Sequence, residues 1–323
     1  MSIVNTFIVG MPKAGTTSLH RYLSEHPSTC MADDKEPHYF SVDLLDEGAA
    51  FHGFPKYTRY PTPDAYHALF SNRKAATVVG ESSVFYLYSK QAAQEIYAYN
   101  SAAKIIIMLR EPVAFLYSLH SQGLYSGNET EADFGTALSL ESIRKEGKQI
   151  PSTVHFPSRL FYREQLKLAE QVKRFVDIFP KSQIKVIVFD DFKTDTESEV
   201  RAVLEFLDLD PKHMPNLVNH NANTAMRSKR LARIIQDPSH PVTAFAKKVL
   251  PKPVWKQGKV LLKKINTDNS ARAPLDPTVK NQLRSEAAAH VQTLQTLLHE
   301  EGLNTADLMT LWGYKVDNTV QTE

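Results

Sequence analysis

Short apolar runs alternate with helix-like segments along the first 210 residues of the chain. Between the runs, apolar side chains recur at intervals of three and four residues, which is the spacing of one helix face. Strands that are apolar throughout are typical of a parallel sheet covered by helices on both faces. We therefore predict an α/β fold with a parallel sheet flanked by helices. The predicted strands cover residues 3–9, 29–31, 77–80, 104–109 and 184–189.

The helical pattern extends beyond the strands to the end of the chain. No linker interrupts it, so we predict a single domain over residues 1–323. Its α/β core covers about residues 3–210, and a helical C-terminal region covers about residues 224–312. The predicted helices include residues 91–99, 112–122, 160–179, 197–207 and 281–298.

The overall composition excludes several classes of protein. With 38 Lys and Arg against 36 Asp and Glu, the net charge of +2 is too small to indicate nucleic-acid binding. Cys30 is the single cysteine, so neither an internal disulfide nor a cysteine-based metal site is expected. No apolar run approaches the roughly 20 residues that span a bilayer. The N-terminus also lacks the pattern of a removable leader, and we expect a cytoplasmic location.

Segment 247–264 carries seven lysines among apolar residues. One interpretation is an amphipathic segment that makes a weak contact with a membrane surface or with a substrate. The other is a solvated lysine face over a packed apolar face.

Residues 10–18 read Gly-Met-Pro-Lys-Ala-Gly-Thr-Thr-Ser and join the first predicted strand to a helix. Backbone N–H groups at a helix N-terminus are unpaired and lie at the positive end of the helix dipole, so they bind anions. Gly15 allows a close backbone approach, and Lys13 adds a mobile positive charge. Hydroxyl groups for the same anion come from Thr16, Thr17 and Ser18. The sequence therefore predicts an anion site on this loop.

The position of the lysine separates this loop from the loop of nucleoside-triphosphate enzymes. In those enzymes lysine directly follows the second glycine, whereas here Thr16 takes that place and Lys13 precedes Gly15 by two residues. The stretch resembles the 5′-phosphosulfate loop of sulfotransferases that use 3′-phosphoadenosine 5′-phosphosulfate (PAPS). The resemblance implies a P-loop nucleotide-kinase-like fold, sulfuryl transfer to an acceptor hydroxyl without a metal, and cofactor contacts from residues 13–18, Ala14 included.

A second anchor follows the strand at residues 104–109. Arg110 ends that strand, Pro112 opens a helix, and Ser118 lies eight residues beyond the arginine. Arginine suits bidentate contact with a phosphate. The arrangement resembles the 3′-phosphate site of the same family, which implies that Arg110 and Ser118 bind the 3′-phosphate of the cofactor.

Residues 35–40, Lys-Glu-Pro-His-Tyr-Phe, provide the candidate for acid–base chemistry. They resemble a segment of the heparan-sulfate type of sulfotransferase, and this implies Glu36 as catalytic base with His38 as accessory or alternative base. A solvated charged turn is the other interpretation, and no metal-ligand spacing is recognisable in it. Ser82 stands where those enzymes carry a lysine, a departure that argues against a heparan-like acceptor.

Two further positions come from weaker likenesses. Tyr162 resembles a residue that approaches the adenine, and a tyrosine packed in the core is the alternative. Arg227 lies in a stretch similar to one that closes over the nucleotide in bacterial members, and a solvated helix start is its alternative.

Two rival functions stay open on the sequence. Asp190 and Asp191 follow an apolar strand, as the magnesium-orienting aspartate of a nucleotide kinase does. A non-catalytic nucleotide-binding protein would keep the Lys13 loop without using Glu36. The acceptor class also stays open among carbohydrates, lipids and secondary metabolites, and we expect residues 51–70 and 122–155 to determine it.

Overall fold

The computed structural model describes most of the chain. Arg227 and nearly all of the lysine-rich segment 247–264 lie outside the described residues, so the predictions made for them are left as they stand. The described residues are 4–71, 76–217, 225–226, 243, 258, 267–268 and 273–315.

A five-stranded parallel sheet forms the centre of the fold, with the strand order β2-β3-β1-β4-β5. This confirms the predicted α/β fold. A separate antiparallel pair joins β6 (Ala225–Met226) to β7 (Thr267–Asp268). The strands of the main sheet are β1 (Thr6–Gly10), β2 (Thr29–Met31), β3 (Val78–Ser82), β4 (Lys104–Leu109) and β5 (Ile184–Val188).

The two central strands are sealed from solvent on both faces. Every residue of β1 is buried, and in β4 only the first residue, Lys104, is partly exposed. Thr6 of β1 lies opposite both Gly80 of β3 and Lys104 of β4, so the three strands run in register. Their carboxyl ends therefore meet along one edge of the sheet, which is where parallel sheets bind ligands.

Helices cover the sheet and account for most of the remaining described residues. In that part of the chain none is long and apolar enough to cross a membrane. The α-helices are α1 (Thr16–Ser24), α2 (Val42–His52), α3 (Pro63–His67), α4 (Ala92–Tyr99), α5 (Pro112–Ser126), α6 (Phe134–Ser139), α7 (Glu141–Lys145), α8 (Leu168–Val176), α9 (Phe189–Thr194), α10 (Thr196–Phe206), α11 (Pro277–Glu300) and α12 (Leu308–Leu311).

The structure differs from the sequence-based prediction where tertiary contacts replace local ones. The helix predicted over 160–179 is formed only as α8, because residues 157–160 and 164–166 make separate 3₁₀ turns. Between these turns, Arg163 receives its contacts from distant groups: its N–H donates to Glu141, and its guanidinium pairs with Glu286 at 2.8 Å. These long-range bonds interrupt the helical pattern.

Helix α11 packs against α5 and α8 and covers the core from the C-terminal side. It buries one side chain on each successive turn from residue 283 to residue 298, which is the spacing of a single helix face. Asp276 caps its N-terminus by accepting from the N–H groups of Thr278 and Val279. The buried residues of this face are Leu283, Ala287, Val291, Leu294 and Leu298.

A buried ion pair fixes the segment that follows α5. The Arg144 guanidinium donates to both carboxylate oxygens of Glu129 at 2.7 Å, and both side chains are at most 1% exposed. Tyr162 donates its hydroxyl to the same carboxylate at 2.9 Å. Paired in this way, the two charges satisfy one another away from water.

We expect Glu129→Gln to lower the free energy of unfolding by about 3 kcal/mol, because it leaves Arg144 charged and buried without a counter-charge. Urea denaturation at neutral pH measures the change. The matched control is Glu146→Gln, which removes an exposed ion pair with Lys148 and should cost less than about 0.5 kcal/mol. Equal losses in the two variants would contradict the role given to the buried pair.

Candidate functional site

The loop between β1 and α1 leaves the sheet at a position that only glycine fits. Gly10 has φ 146°, and a Cβ on it would lie 2.5 Å from the carbonyl oxygen of Met108 in β4. The Met11 N–H donates to that same oxygen at 2.9 Å. The loop therefore starts while still held against the central strand, and this fixes its position at the edge of the sheet.

The second glycine sets the direction of α1. Gly15 is the N-cap residue with φ 89°, a left-handed conformation that is strained for other residues. Among the described residues, no group accepts a hydrogen bond from the N–H of Gly15, Thr16 or Thr17. Three adjacent donors at the positive end of a nine-residue helix are a ready binding site for an anion.

Arg110 lies against this loop, as its place at the end of β4 predicted. Its guanidinium donates to the carbonyl oxygen of Lys13 at 2.7 Å and stacks on Phe189, 4.7 Å from the ring centre. Burial lowers the pKa of Arg110, but a guanidinium is still charged at neutral pH. The cation is thus held in place beside the unpaired N–H groups.

These groups line a common cavity of about 400 Å³, here called the loop cavity. Phe189 and Phe192 form an apolar part of its wall, and Lys193 adds a further cation. The predicted site residues that line it are Lys13, Gly15, Thr16, Thr17, Ser18, Arg110 and Glu36.

Other predicted residues lie elsewhere. Ala14 is buried, and its N–H donates to the carbonyl of Met11 at 3.2 Å. Ser118 is buried on α5 and does not line the loop cavity. Tyr162 is 1% exposed in the core, as the alternative for this residue expected. Asp190 accepts a hydrogen bond from the Trp312 indole at 2.9 Å and likewise lies off the cavity wall.

The loop that carries Glu36 and His38 is held in a fixed shape by the end of β3. Both residues have positive φ, 61° and 56°. The Glu36 N–H donates to the Ser82 carbonyl at 2.9 Å, and the His38 N–H donates to the Ser83 hydroxyl at 3.1 Å. These contacts fix the backbone of the segment at the end of β3.

The buried carboxylate of Glu81 holds the hydroxyl groups that anchor this loop. Its side chain is fully buried and accepts hydrogen bonds from the hydroxyls of Tyr66, Ser83 and Tyr86 at 3.0, 2.7 and 2.7 Å. Burial raises the pKa of Glu81, while the three hydroxyl donors oppose that shift. The Tyr86 hydroxyl in turn accepts from the N–H of Phe40. Glu81 therefore orients the Glu36 loop without lining the loop cavity itself.

Ser82 faces into the protein. Its hydroxyl lies 2.9 Å from His20 Nδ1, and both side chains are buried. Burial and the nearby Lys35 charge lower the pKa of His20 to about 4, so the imidazole is neutral at neutral pH. In this chain, Ser82 does not place a cation at the site.

A second cavity, of about 320 Å³, adjoins the first and is here called the side cavity. Glu36 and Gln122 line both cavities. The segments predicted to determine acceptor choice, 51–70 and 122–155, both contribute to its wall. Its charged and imidazole side chains, besides Glu36, are Lys35, His38, Lys56, Arg59, His155 and Arg159.

Glu36 is held ionised at the junction of the two cavities. Burial would raise its pKa, but Lys35 and His38 outweigh this effect and hold the pKa of Glu36 well below its ordinary value. Lys35 Nζ donates to Glu36 Oε1 at 2.6 Å, and His38 Nε2 lies 3.8 Å from Oε2. The carboxylate is therefore ionised at neutral pH, which is the protonation state that a general base requires.

The sequence singled out neither Arg159 nor Lys193, which line these cavities, and it included Gln122 only as the first residue of the segment 122–155. Lys193 lies in the last turn of α9, the helix that directly follows β5 at the ligand edge of the sheet, so its position was a usable signal. Gln122 and Arg159 reach the cavities through packing of distant segments, and no local pattern marks them. The buried Gln122 Oε1 has no hydrogen-bond partner among the described residues.

Comparison with known proteins adds an independent finding. A family model described as the sulfotransferase domain matches residues 4–252. A sulfotransferase structure from Alicyclobacillus acidocaldarius is 29% identical, with a TM-score of 0.66 over 93% of this chain and 97% of that one.

Two curated relatives match over shorter parts of their length. Carbohydrate sulfotransferase 15 of Mus musculus is 26% identical over 254 residues, which is 64% of this chain and 44% of that protein. Heparan sulfate glucosamine 3-O-sulfotransferase 5 of Homo sapiens is 26% identical over 205 residues, covering 64% and 53%. The chain spans about half the length of the curated relatives that it matches.

We expect Lys35→Met to raise the pKa of Glu36, because it removes the cation that donates to the carboxylate. Titration of the glutamate carboxyl carbons by NMR measures this, with Lys148→Met as a control that leaves Glu36 unchanged. Since the folded-state pKa is lowered, the stabilisation from Glu36 is present above the unfolded value of about 4.3 and is lost as the pH falls. An unchanged Glu36 titration in Lys35→Met would contradict this assignment.

Proposed function

This chain belongs to the sulfotransferase domain family, and we propose that it transfers a sulfuryl group from PAPS to a hydroxyl group of an acceptor. The observation that carries the proposal is the position of Glu36. This carboxylate lines both the loop cavity and the side cavity. A transfer between two substrates needs a proton acceptor at the point where they meet.

The loop cavity has the groups that the phosphosulfate end of PAPS requires. The N–H groups of Gly15, Thr16 and Thr17 are available as donors, and Lys13 supplies a mobile charge. Arg110 lies on the same wall as a fixed guanidinium for the 3′-phosphate. The aromatic rings of Phe189 and Phe192 form an apolar wall for the rest of the nucleotide.

PAPS supplies a sulfuryl group bonded to a phosphate leaving group. In the proposed in-line displacement, the acceptor oxygen forms its bond to sulfur as the bond from sulfur to the phosphate oxygen breaks. Glu36 takes the hydroxyl proton, and Lys13 stabilises the charge that develops on the phosphate. The chain's own cations and N–H donors carry out this stabilisation, so the proposal requires no metal.

The geometry supports Glu36 over His38 as the base. His38 lines the side cavity alone, whereas Glu36 lines both cavities. His38 Nε2 lies 3.8 Å from the Glu36 carboxylate and helps to lower the pKa of Glu36. We propose His38 as the accessory group that keeps Glu36 ionised.

The rival kinase function has less support. Its candidate magnesium-orienting residues, Asp190 and Asp191, lie in the first turn of α9. Neither lines the loop cavity, and Asp190 is bonded to Trp312. Among the described residues, no three His, Cys, Asp or Glu side chains converge as metal ligands would.

For the acceptor we propose a broad chemical class and not a single compound. The names of the two curated relatives specify carbohydrate and heparan sulfate glucosamine substrates. For this chain we propose a hydroxyl-bearing acceptor, with a carbohydrate as the first class to screen and lipids and secondary metabolites after it.

The product 3′-phosphoadenosine 5′-phosphate (PAP) should bind at least about tenfold tighter than ADP, since charge-assisted hydrogen bonds from Arg110 to the 3′-phosphate add roughly 1.5–3 kcal/mol. Isothermal titration calorimetry measures both affinities. Arg110→Ala should remove most of the preference, while Arg21→Ala, on the exposed face of α1, should keep it. Equal or tighter binding of ADP to the wild-type chain would overturn the assignment of the donor.

Glu36→Gln should reduce the rate of sulfuryl transfer by about 100-fold or more and leave PAP affinity within about threefold, because it removes the base but no phosphate contact. Transfer from ³⁵S-labelled PAPS to a panel of hydroxyl acceptors measures the rate, and calorimetry measures the affinity. His38→Gln should cost less than Glu36→Gln. Full activity in Glu36→Gln would refute its role and favour a different base or a non-catalytic nucleotide-binding protein.

A further inference from the structure

The side cavity contains a buried arginine that the proposed transfer step does not use. Arg159 is only 6% exposed and stacks on the ring of Phe85, with its guanidinium carbon 4.5 Å from the ring centre. It lies in a 3₁₀ turn, residues 157–160, whose backbone is tied to the neighbouring α2 through the Ser158 N–H and hydroxyl, both of which donate to Glu47 at 2.6 Å. The position of Arg159 is therefore fixed by the fold.

Within the described part of the chain, Arg159 forms no ion pair. No carboxylate lies within ion-pair distance of it, and no acceptor takes a hydrogen bond from its guanidinium. The guanidinium nitrogens of Arg159 are not completely enclosed by protein atoms, and the residue lines the side cavity. The nitrogens are therefore accessible from that cavity. The other buried arginine of the described residues, Arg144, is bound at two points by Glu129.

An unpaired buried charge is costly to a fold, because desolvation is not offset by a partner. Burial lowers the pKa of Arg159 to about 10, and the negative charge of Glu36 opposes that shift. The guanidinium is therefore still cationic at neutral pH. Its five N–H donors lie in a planar fork whose geometry matches an oxyanion.

The rest of the wall has the same sign of charge. Besides Arg159, the lining carries the cations Lys35, Lys56 and Arg59, against the single carboxylate of Glu36. Lys35 is bonded to Glu36, and Arg59 pairs with Asp34 outside the cavity. Arg159 is the cation of this wall that is both buried and without a partner among the described residues.

We propose that Arg159 binds an anionic group of the acceptor, a carboxylate or a sulfate ester, and so places a neighbouring hydroxyl beside Glu36. The inference rests on the proposed sulfuryl transfer and narrows its acceptor to hydroxyl compounds that already carry a negative charge. Phe85 holds the guanidinium plane from behind, and the cavity supplies the space in front. Arg159 is a specificity-determining residue in this scheme and takes no part in proton transfer.

The test uses the full chain saturated with PAP, so that the loop cavity is filled and added anions compete only for the side cavity. Three probes share a scaffold and differ at one position: 4-nitrophenyl β-D-glucuronide carries a carboxylate, 4-nitrophenyl β-D-glucoside 6-sulfate carries a sulfate, and 4-nitrophenyl β-D-glucoside is neutral. Calorimetry measures the affinity of each. At least one anionic probe should bind about tenfold tighter than the neutral one, and which one does so distinguishes the two sources of charge.

Matched variants separate a binding role from a structural one. Arg159→Met should reduce the anion preference to about unity and keep PAP affinity, while Arg159→Lys should keep part of the preference. Arg159 forms no ion pair with any described residue, so Arg159→Met should leave the thermal denaturation midpoint unchanged or raise it. Arg144 pairs with Glu129, so Arg144→Met should lower the midpoint. A fall in the midpoint of Arg159→Met similar to that of Arg144→Met would show a structural role and overturn the proposal.

Three other results would overturn it: equal binding of the neutral and anionic probes, an anion preference that survives in Arg159→Met, or no binding of either anionic probe to a chain that binds PAP normally. Failure of PAP itself to bind is a separate outcome. It would refute the proposed function, and the acceptor assignment would fall with it.

Discussion

The parallel register of β1 with its two neighbours is the constraint on which the rest of the site depends. Thr6 lies level with both Gly80 and Lys104, so the ends of three strands reach the same edge of the sheet. At that edge the chain places the loop of residues 10–18 after β1, the Glu36 anchors after β3 and Arg110 after β4. A shift of one residue in either pairing would separate the loop from one of its two partners.

A second layer of contacts turns this edge into a site with defined chemistry. Glu81 gathers three hydroxyls in the interior, and two of them accept the N–H groups of His38 and Phe40. The strained loop that carries Glu36 is thus fixed by buried hydrogen bonds, while its carboxylate stays partly exposed between the two cavities. Groups held in this way lose little freedom when a substrate binds.

The features of the site that the sequence predicted are local. A strand, two glycines and a helix start are contiguous, and the end of β4 directly precedes Arg110, so the positions of the loop and of Arg110 were readable from residue order. The role proposed for Glu36 came from resemblance, since nothing in residues 35–40 alone separates a catalytic carboxylate from a solvated one. Arg159 was not predicted, because its lack of a partner depends on which distant side chains surround it. The helix expected over 160–179 was wrong at its start for a similar reason, since Arg163 is bound by Glu141 and Glu286 from other elements.

The most direct test of the central claim, that transfer takes place where the loop cavity and the side cavity meet at Glu36, is a crystal structure of the chain with PAP. We expect the 5′-phosphate on the N–H groups of Gly15, Thr16 and Thr17 and the 3′-phosphate on Arg110. We also expect the Glu36 carboxylate to face the 5′-phosphate from the side cavity. A nucleotide bound outside the loop cavity, or one that separates Glu36 from the side cavity, would contradict this claim.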